Sequence, residues 1–292
     1  MGSKSATTIR EAYVQASSFL GSRGVPEPNA NVERLMQYVL GISRSDLLLR
    51  WDEPFPEEKA AKWQQLLHRR GEGIPVQYLT GEEWFYGLSF RVNEAVLIPR
   101  PETELLVERI VERGRKLWPD GGVTAVDIGT GSGAIAVSLA VHCPGWRLVA
   151  TDLSPAALRV ARQNAERHRV AERILFREGD LLAPLMDIPM EVDVLVSNPP
   201  YIPSGDIPGL QTEVKDHEPR LALDGGEDGL DCYRAIIAQM EQLVRPPRLV
   251  GFEVGAGQAG IVAEWLKAAG HWGRVELIQD LAGIDRHVIA ER

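Results

Sequence analysis

Cysteine is scarce in this sequence: Cys143 and Cys232 are the two in 292 residues, spaced for neither a disulfide framework nor a zinc site. The six histidines (His68, His142, His168, His217, His271 and His287) are scattered without ligand spacing, so the residues predict no metal chemistry. Long apolar runs are missing too. Nothing approaches the roughly 18 residues of a membrane span, and Met1-Gly-Ser-Lys-Ser-Ala6 lacks the apolar stretch of a secretory signal. These absences predict a chain of the reducing cytoplasm with no membrane contact. Positive charge is also short. The net charge is −9 and uneven: residues 1–80 carry ten Lys and Arg against nine Asp and Glu, the remainder 22 against 32. Phosphate contacts dominate general nucleic-acid affinity, so an acidic larger portion argues against stable nucleic-acid binding, while a local basic patch stays compatible with it.

What is present is ordinary globular material, 44% hydrophobic and 25% charged, in a length that suits two domains or one large one. Residues 7–72 read as helical. Apolar positions recur at helical spacing in Ile9, Tyr13, Ala16 and Leu20, then in Val32, Leu35, Met36, Val39 and Leu40. Asn31 is placed to cap the second stretch and Gly41 to end it, and a third helix is expected near Pro56–Arg70. Residues 1–75 are therefore assigned to a small helical bundle. Residues 76–98 change character: Trp84-Phe85-Tyr86, Gly87 and Leu88-Ser-Phe90-Arg-Val92 read as a β-hairpin linker. Residues 99–292 alternate apolar β-branched runs with helical stretches. Candidate strands are 123–128, 147–151, 174–177, 192–197, 248–253, 275–279 and 287–290. Such alternation predicts an α/β, Rossmann-like, doubly wound domain with a mostly parallel seven-stranded sheet.

Two motifs carry chemistry. Val126-Asp127-Ile128 runs into Gly129-Thr130-Gly131-Ser132-Gly133 and then a helical Ala134-Ile-Ala-Val. Glycines let backbone lie against a ligand, and the helix start offers N–H groups to an anion. That anion is a phosphate in a nucleotide enzyme or the carboxylate of S-adenosylmethionine. Asp152, at the end of the next strand, is placed to accept ribose hydroxyls. The loop alone also fits the relaxed dinucleotide fingerprint or a purely structural turn.

The second motif is Asn198-Pro199-Pro200-Tyr201, at the carboxyl end of the strand Val192–Ser197, where ligands of open α/β sheets bind. The prolines remove two N–H donors and fix φ. The Asn198 side-chain carbonyl and the Pro199 backbone carbonyl offer two acceptors, matching the two hydrogens of an –NH₂ group, and Tyr201 can stack on a planar group. This is a device for holding a planar nitrogen against a sulfonium methyl, in-line, with no strong base. Asn-Pro and Pro-Pro are also common turn punctuation, but the glycine loop and Asp152 upstream favour methyl transfer.

With these motifs and four further segments the sequence resembles the bacterial release-factor glutamine methyltransferases. The segments are Pro75-Val-Gln-Tyr-Leu-Thr-Gly81 with Phe85-Tyr-Gly87, Leu97-Ile-Pro-Arg-Pro-Glu-Thr-Glu104, the Glu218–Asp231 block, and Asp280-Leu-Ala-Gly283 with Asp285-Arg286. The resemblance implies a class I S-adenosylmethionine-dependent enzyme that methylates the glutamine amide of the Gly-Gly-Gln motif in class 1 peptide chain release factors. It implies cofactor contacts from Gly129 to Gly133, Asp152, Asp180, Leu181 and Asn198, and a grip on glutamine by Asn198, Pro199, Pro200 and Tyr201. It gives the helical bundle a role in engaging the release factor, and it leans toward a monomer. Leu181 stands where the family often has an aromatic residue, and Asn31 where it usually has Asp. Glu102 and Glu104 read equally as site residues and as charges at a helix start. Two rivals remain at this stage. An adenine N6-methyltransferase would use the same Asn198 motif but ordinarily needs a basic surface; a non-catalytic adaptor would need none of it.

Overall fold

The structure is a computed structural model that describes residues 7–188 and 190–292. The N-terminal hexapeptide, read above as lacking a secretory signal, lies outside them. The chain divides into two compact units, one running to Gly81 and including Gln211–His217, the other comprising Glu82–Leu210 and Glu218–Arg292.

The first unit holds α1 (Ile9–Ser22), α2 (Pro28–Leu40), α3 (Arg44–Leu49), α4 (Glu57–Gly71) and α5 (Val76–Thr80). A later short helix, Thr212–Lys215, also belongs to it. Capping boxes start α1 (Thr8 with Glu11) and α3 (Ser43 with Asp46), each satisfying two N–H groups at the helix start. The apolar stripes read from the sequence close on one another: Ile9, Ala16, Leu20, Val32, Leu35, Met36 and Trp63 are all buried together. The residues 76–80, within the stretch read as a hairpin linker, form one helical turn. Pro75 precedes it, Gly81 ends it at φ 76°, and Val76 and Leu79 are buried.

Asn31 corrects its expected role. Helix α2 starts earlier, at Pro28, whose ring suits the first helical position, and Glu27 is the cap residue. Asn31 therefore lies inside the first turn. Its Nδ2 donates to the Pro26 and Glu27 carbonyls at 3.0 and 3.1 Å. Its Oδ1 accepts from Arg70 Nε at 2.7 Å, and Arg70 is 2% exposed. Arg70 also donates to the Ile74 carbonyl at 3.2 Å and pairs with Glu213 at 2.5 Å.

In the second unit, β1 (Glu82–Phe85) and β2 (Leu88–Arg91) form an antiparallel hairpin. Tyr86 and Gly87 connect them with φ of 48° and 75°, the two positive values that a tight twisted hairpin turn demands. The rest is α6 (Pro101–Leu117), β3 (Thr124–Ile128), α7 (Ala134–His142), β4 (Arg147–Asp152), α8 (Pro155–Arg167), β5 (Ile174–Glu178), β6 (Val194–Ser197), then α10 (Asp231–Met240), β7 (Leu249–Glu253), α11 (Ala259–Ala269), β8 (Arg274–Gln279) and β9 (Asp285–Glu291), with Thr212–Lys215 counted as α9. The strands make one seven-stranded sheet in the order β5-β4-β3-β6-β7-β9-β8. Pairing is parallel from β5 to β7, and β9 is antiparallel to both β7 and β8. This is the mostly parallel, doubly wound sheet expected.

Both faces of the sheet are covered, and the period of two along each strand sorts its residues between them. Ala125, Leu148, Ala150, Val194, Val196, Leu249 and Ile289 pack with Leu106 and Ile110 of α6 and with α7. Their neighbours Val126, Val149, Leu195, Val250, Phe252 and Val288 pack with Tyr233 and Ile236 of α10 and Val262 and Leu266 of α11. Helix α7 lies against the first face with Ala134 through Ala140 all buried, which is why its sequence is apolar all round. Among the described residues no helix is long and apolar enough to cross a membrane.

Candidate active site

Strand order reverses on either side of β3: β4 and β5 extend one way, β6 the other. Such a switch point opens a crevice beyond the carboxyl ends of the strands. Here Ile128 pairs with Ser197, so Gly129 and Asn198 leave adjacent strands at the same level. The Ser197 hydroxyl donates to the Ile128 carbonyl at 2.7 Å and ties the two exits together. Asp152 ends β4 opposite Glu178, and Gly179-Asp180-Leu181 follow on the next strand. A cavity of about 400 Å³ lies there, lined by Gly129, Gly131, Asp152, Asp180, Leu181, Asn198 and Pro200. Four sequentially separate predicted segments thus meet at one opening.

Internal hydrogen bonds hold the glycine loop in place. Gly129 and Gly131 have φ of 68° and 56°, and a Cβ built on either would meet at most backbone at van der Waals range. A ligand can therefore lie directly against this backbone. Thr130 and Ser132 are buried and turn inward. The Thr130 hydroxyl donates to Asp127 Oδ2 at 2.6 Å, and the Ala136 N–H donates to the same oxygen at 3.1 Å. One N–H of the helix start is thus already engaged by Asp127. Burial pushes the Asp127 carboxyl up to about 7, against the pull of these two donors. Asp152 accepts from Gly131 N at 2.8 Å through one oxygen and from Ser154 N at 2.9 Å through the other. Each oxygen keeps a second lone pair, so the carboxylate retains capacity for a diol. Burial raises its pKa as well.

The Asn198 side chain is held from behind. Its Nδ2 donates to Thr103 Oγ1 at 3.0 Å, and the Thr103 hydroxyl donates to Glu253 Oε2 at 2.6 Å. Tyr201 turns its hydroxyl toward Glu253 Oε1 at 3.5 Å, and its ring packs on the core beneath. Burial, with Glu253 alongside, pushes the Tyr201 phenol up to about 12. The Gln258 amide donates to the Tyr201 carbonyl at 2.9 Å and accepts from Gly255 N at 2.8 Å, which pins the end of the motif.

The chain matches the PrmC N-terminal domain family over residues 11–81 and the methyltransferase small domain family over 101–212. It is 44% identical to the release factor glutamine methyltransferase of Moorella thermoacetica, over 98% of this chain and 99% of that one. The corresponding proteins of Bacillus cereus and Bacillus subtilis are 42% and 40% identical, covering 97% of this chain and 99% and 97% of theirs. The chain belongs to the release factor glutamine methyltransferase family. Similarity also reaches the human METTL16 catalytic domain in complex with an RNA hairpin of the MAT2A 3′ untranslated region, at 19% identity and TM-score 0.56, over 81% of this chain and 82% of that one. The METTL16 N-terminal domain in complex with SAH matches at 19% identity and TM-score 0.51, over 83% and 85%. At such identity these matches show the shared methyltransferase fold.

Two of the segments on which the family resemblance rested meet in the structure. Glu218 is buried, accepts from Ile98 N at 3.3 Å and pairs with Arg100 at 2.5 Å. This joins the Leu97–Glu104 segment to the Glu218–Asp231 block, and Ala95, Val96, Leu97, Pro219, Arg220 and Leu221 all line the cavity. Glu104 accepts the Tyr86 N–H at 2.9 Å and so fastens the hairpin turn, and neither it nor Glu102 lines the cavity. Pro199, Tyr201 and Gly133 are not among the residues that line the cavity. The sequence reading passed over Thr103 and Glu253. Thr103 lies in the Leu97–Glu104 segment and Glu253 at the end of the candidate strand 248–253, but nothing in their local spacing shows that they meet at Asn198.

Proposed function

We propose that this chain transfers a methyl group from S-adenosylmethionine to the side-chain amide nitrogen of the glutamine in the Gly-Gly-Gln motif of class 1 peptide chain release factors. The observation that carries the reading is Asn198: it lines the cavity and its Nδ2 is bonded to Thr103, which leaves Oδ1 as the acceptor available to a ligand. A donor-rich –NH₂ group is the natural complement of that oxygen and of a neighbouring proline carbonyl. The relatives' name supports glutamine as its source, and an acidic chain of net charge −9 suits a protein substrate better than a polyanion.

The cavity suits the cofactor on its own terms. Gly129 and Gly131 leave open backbone for the amino-acid end, the Asp152 carboxylate is available to the ribose hydroxyls, and Asp180 with Leu181 borders the place for the adenine. The bound cofactor supplies an electrophilic methyl on a positively charged sulfur. The protein's part is orientation: Asn198 Oδ1 and the Pro199 carbonyl would hold the two amide hydrogens and so orient the nitrogen toward the bound methyl donor. The N–C bond would form as the methyl–sulfur bond breaks, the sulfur leaving as a neutral thioether and one amide proton passing to solvent, so no base of raised strength would be required. We read the helical unit, which matches the PrmC N-terminal domain family, as the part that engages the release factor.

Incubation of the protein with a purified release factor and S-adenosylmethionine should add the mass of one methyl to the Gly-Gly-Gln glutamine, and a Gln→Ala release factor should stay unmodified. Methylation of adenine in nucleic acid with none on the protein would replace this reading with that of a nucleic-acid enzyme.

A further inference from the structure

Glu253 is 1% exposed and ends β7 beside β6. Ser197 pairs with Phe252, so Asn198 and Glu253 are the next residues on neighbouring parallel strands. One carboxylate oxygen takes the Thr103 hydroxyl at 2.6 Å, and Thr103 in turn accepts from Asn198. The other oxygen faces the Tyr201 hydroxyl at 3.5 Å. Both ends of the Asn-Pro-Pro-Tyr motif therefore converge on one buried carboxyl group. Its backbone is fixed as well, since the Tyr233 hydroxyl donates to the Glu253 carbonyl at 2.7 Å.

We propose that Glu253 is a positioning residue that selects which end of the Asn198 carboxamide faces the substrate. A carboxamide can rotate by half a turn at almost no steric cost, which exchanges its oxygen for its –NH₂. Threonine has a single hydroxyl proton. When Glu253 is a carboxylate it takes that proton, and Thr103 can only accept from Asn198, so Nδ2 is drawn inward and Oδ1 is left outward. When Glu253 is protonated it can donate to Thr103, which frees the threonine proton to turn toward Asn198 and makes the rotated amide equally good. The rotated amide would meet a substrate –NH₂ donor to donor. This inference rests on the proposed reading that the substrate presents an –NH₂ to Asn198.

The groups facing Glu253 come from every packed element. Helix α6 supplies Thr103 and Glu102, the segment after β6 supplies Asn198 and Tyr201, α10 supplies Tyr233, and β9 supplies Arg286 and His287. Burial, with a smaller push from Glu102, raises the Glu253 acid to about 7 against the opposing pull of the Thr103 and Asn198 donors and Arg286. His287 is held neutral near pH 7, since burial lowers its pKa to about 4. Glu253 thus titrates near neutrality, with its active form on the alkaline side.

Three substitutions test the relay. Glu253→Gln keeps the shape but places an –NH₂ or a carbonyl against Thr103. We expect kcat on release factor to fall about tenfold to a hundredfold, somewhat less than loss of a whole preorganised polar group, with unchanged calorimetric affinity for the cofactor. The wild-type rate should rise with pH through about 7, and the Glu253→Gln profile should be flat there. Thr103→Val should match Glu253→Gln, and Thr103→Ser should restore the rate. A second readout needs no substrate: the Asn198 side-chain ¹⁵N–H₂ signal, assigned by its loss in Asn198→Ala, should exchange slowly with solvent in the wild type and faster in Glu253→Gln. Glu253→Gln with wild-type kcat and pH profile would overturn the proposal, as would an Asn198 signal indifferent to that substitution. If wild-type protein leaves release factor unmodified while the Asn198 signal still responds, the substrate reading fails and the relay stands.

Discussion

At the scale of single residues, Asn198 and Asp127 make separate demands. Asn198→Ala removes the acceptor and leaves Thr103 facing a void, so methyl transfer should slow by about a hundredfold to a thousandfold while the cofactor still binds; single-turnover kinetics beside calorimetry would separate the two effects. Asp127 touches neither substrate nor cavity, yet its carboxyl titrates near 7 because it is wholly buried. A raised acid pKa means that the folded chain holds a proton that the unfolded chain releases. The associated stability is complete below the unfolded pKa of about 4 and is lost as pH climbs through about 7. Glu253 acts in the same direction, so urea midpoints should be higher at about pH 5 than at about pH 8. Asp127→Asn should narrow that difference; an unchanged difference would mean that Asp127 is already ionised in the folded protein. Asn198 and Asp152 were legible in the sequence because each stands at a strand end, Asn198 opening a short motif and Asp152 following the glycine loop by one strand. Thr103 and Glu253 were not, because they lie 150 residues apart and 95 and 55 residues from Asn198.

Among elements, α6 matters most to the site because it carries Thr103 in its first turn and packs Leu106 and Ile110 on the sheet. Its far end is set by a close approach: a Cβ at Gly114 would fall 2.3 Å from the buried Trp146 ring. Gly114→Ala would gain up to about 1 kcal/mol in helix propensity. It would also force a rigid indole aside, at a cost of about 1–3 kcal/mol. The clash should win, lowering the melting temperature, and a tilt of α6 should appear as reduced kcat through Thr103. Both strands and helices of this unit were readable from apolar runs, since a sheet covered on both faces leaves little ambiguity. The turn at Val76–Thr80 was less readable. Five residues between Pro75 and Gly81 are too few to show a helical period, and the burial of Val76 and Leu79 reveals it.

For the whole molecule, the segment Gln211–His217 leaves the second unit and joins the first. There the Glu213 carboxylate meets the Arg70 guanidinium, whose side chain is 3% exposed. Burial lowers the Arg70 pKa and Glu213 opposes that shift. Removing one partner of a buried pair leaves a charge without its counter-ion, a loss of about 3–5 kcal/mol in the worst cases. The Glu213 side chain is 26% exposed, so Glu213→Ala should fall at the low end of that range. Amide exchange in α4 should then quicken, and wild-type protection in α4 would show the pair to be dispensable. The sequence offered no sign of this pair, because Arg70 and Glu213 are 143 residues apart and each sits in an ordinary charged helix.

The strands, the helices, the glycine loop and the Asn-Pro-Pro-Tyr motif could be read along the chain, because hydrophobic period and turn chemistry are local properties. The family could be read there too, through segments long enough to be specific. Which of those segments meet depends on contacts between distant parts of the chain. Strand order put Gly129 and Asn198 side by side, the Arg100–Glu218 pair brought two distant blocks to one cavity mouth, and Glu253 came to lie behind Asn198 and Tyr201. In the proposed relay, a proton two hydrogen bonds away sets whether Asn198 presents oxygen or nitrogen, and the packing of α6 against β7 brings Thr103 between Glu253 and Asn198.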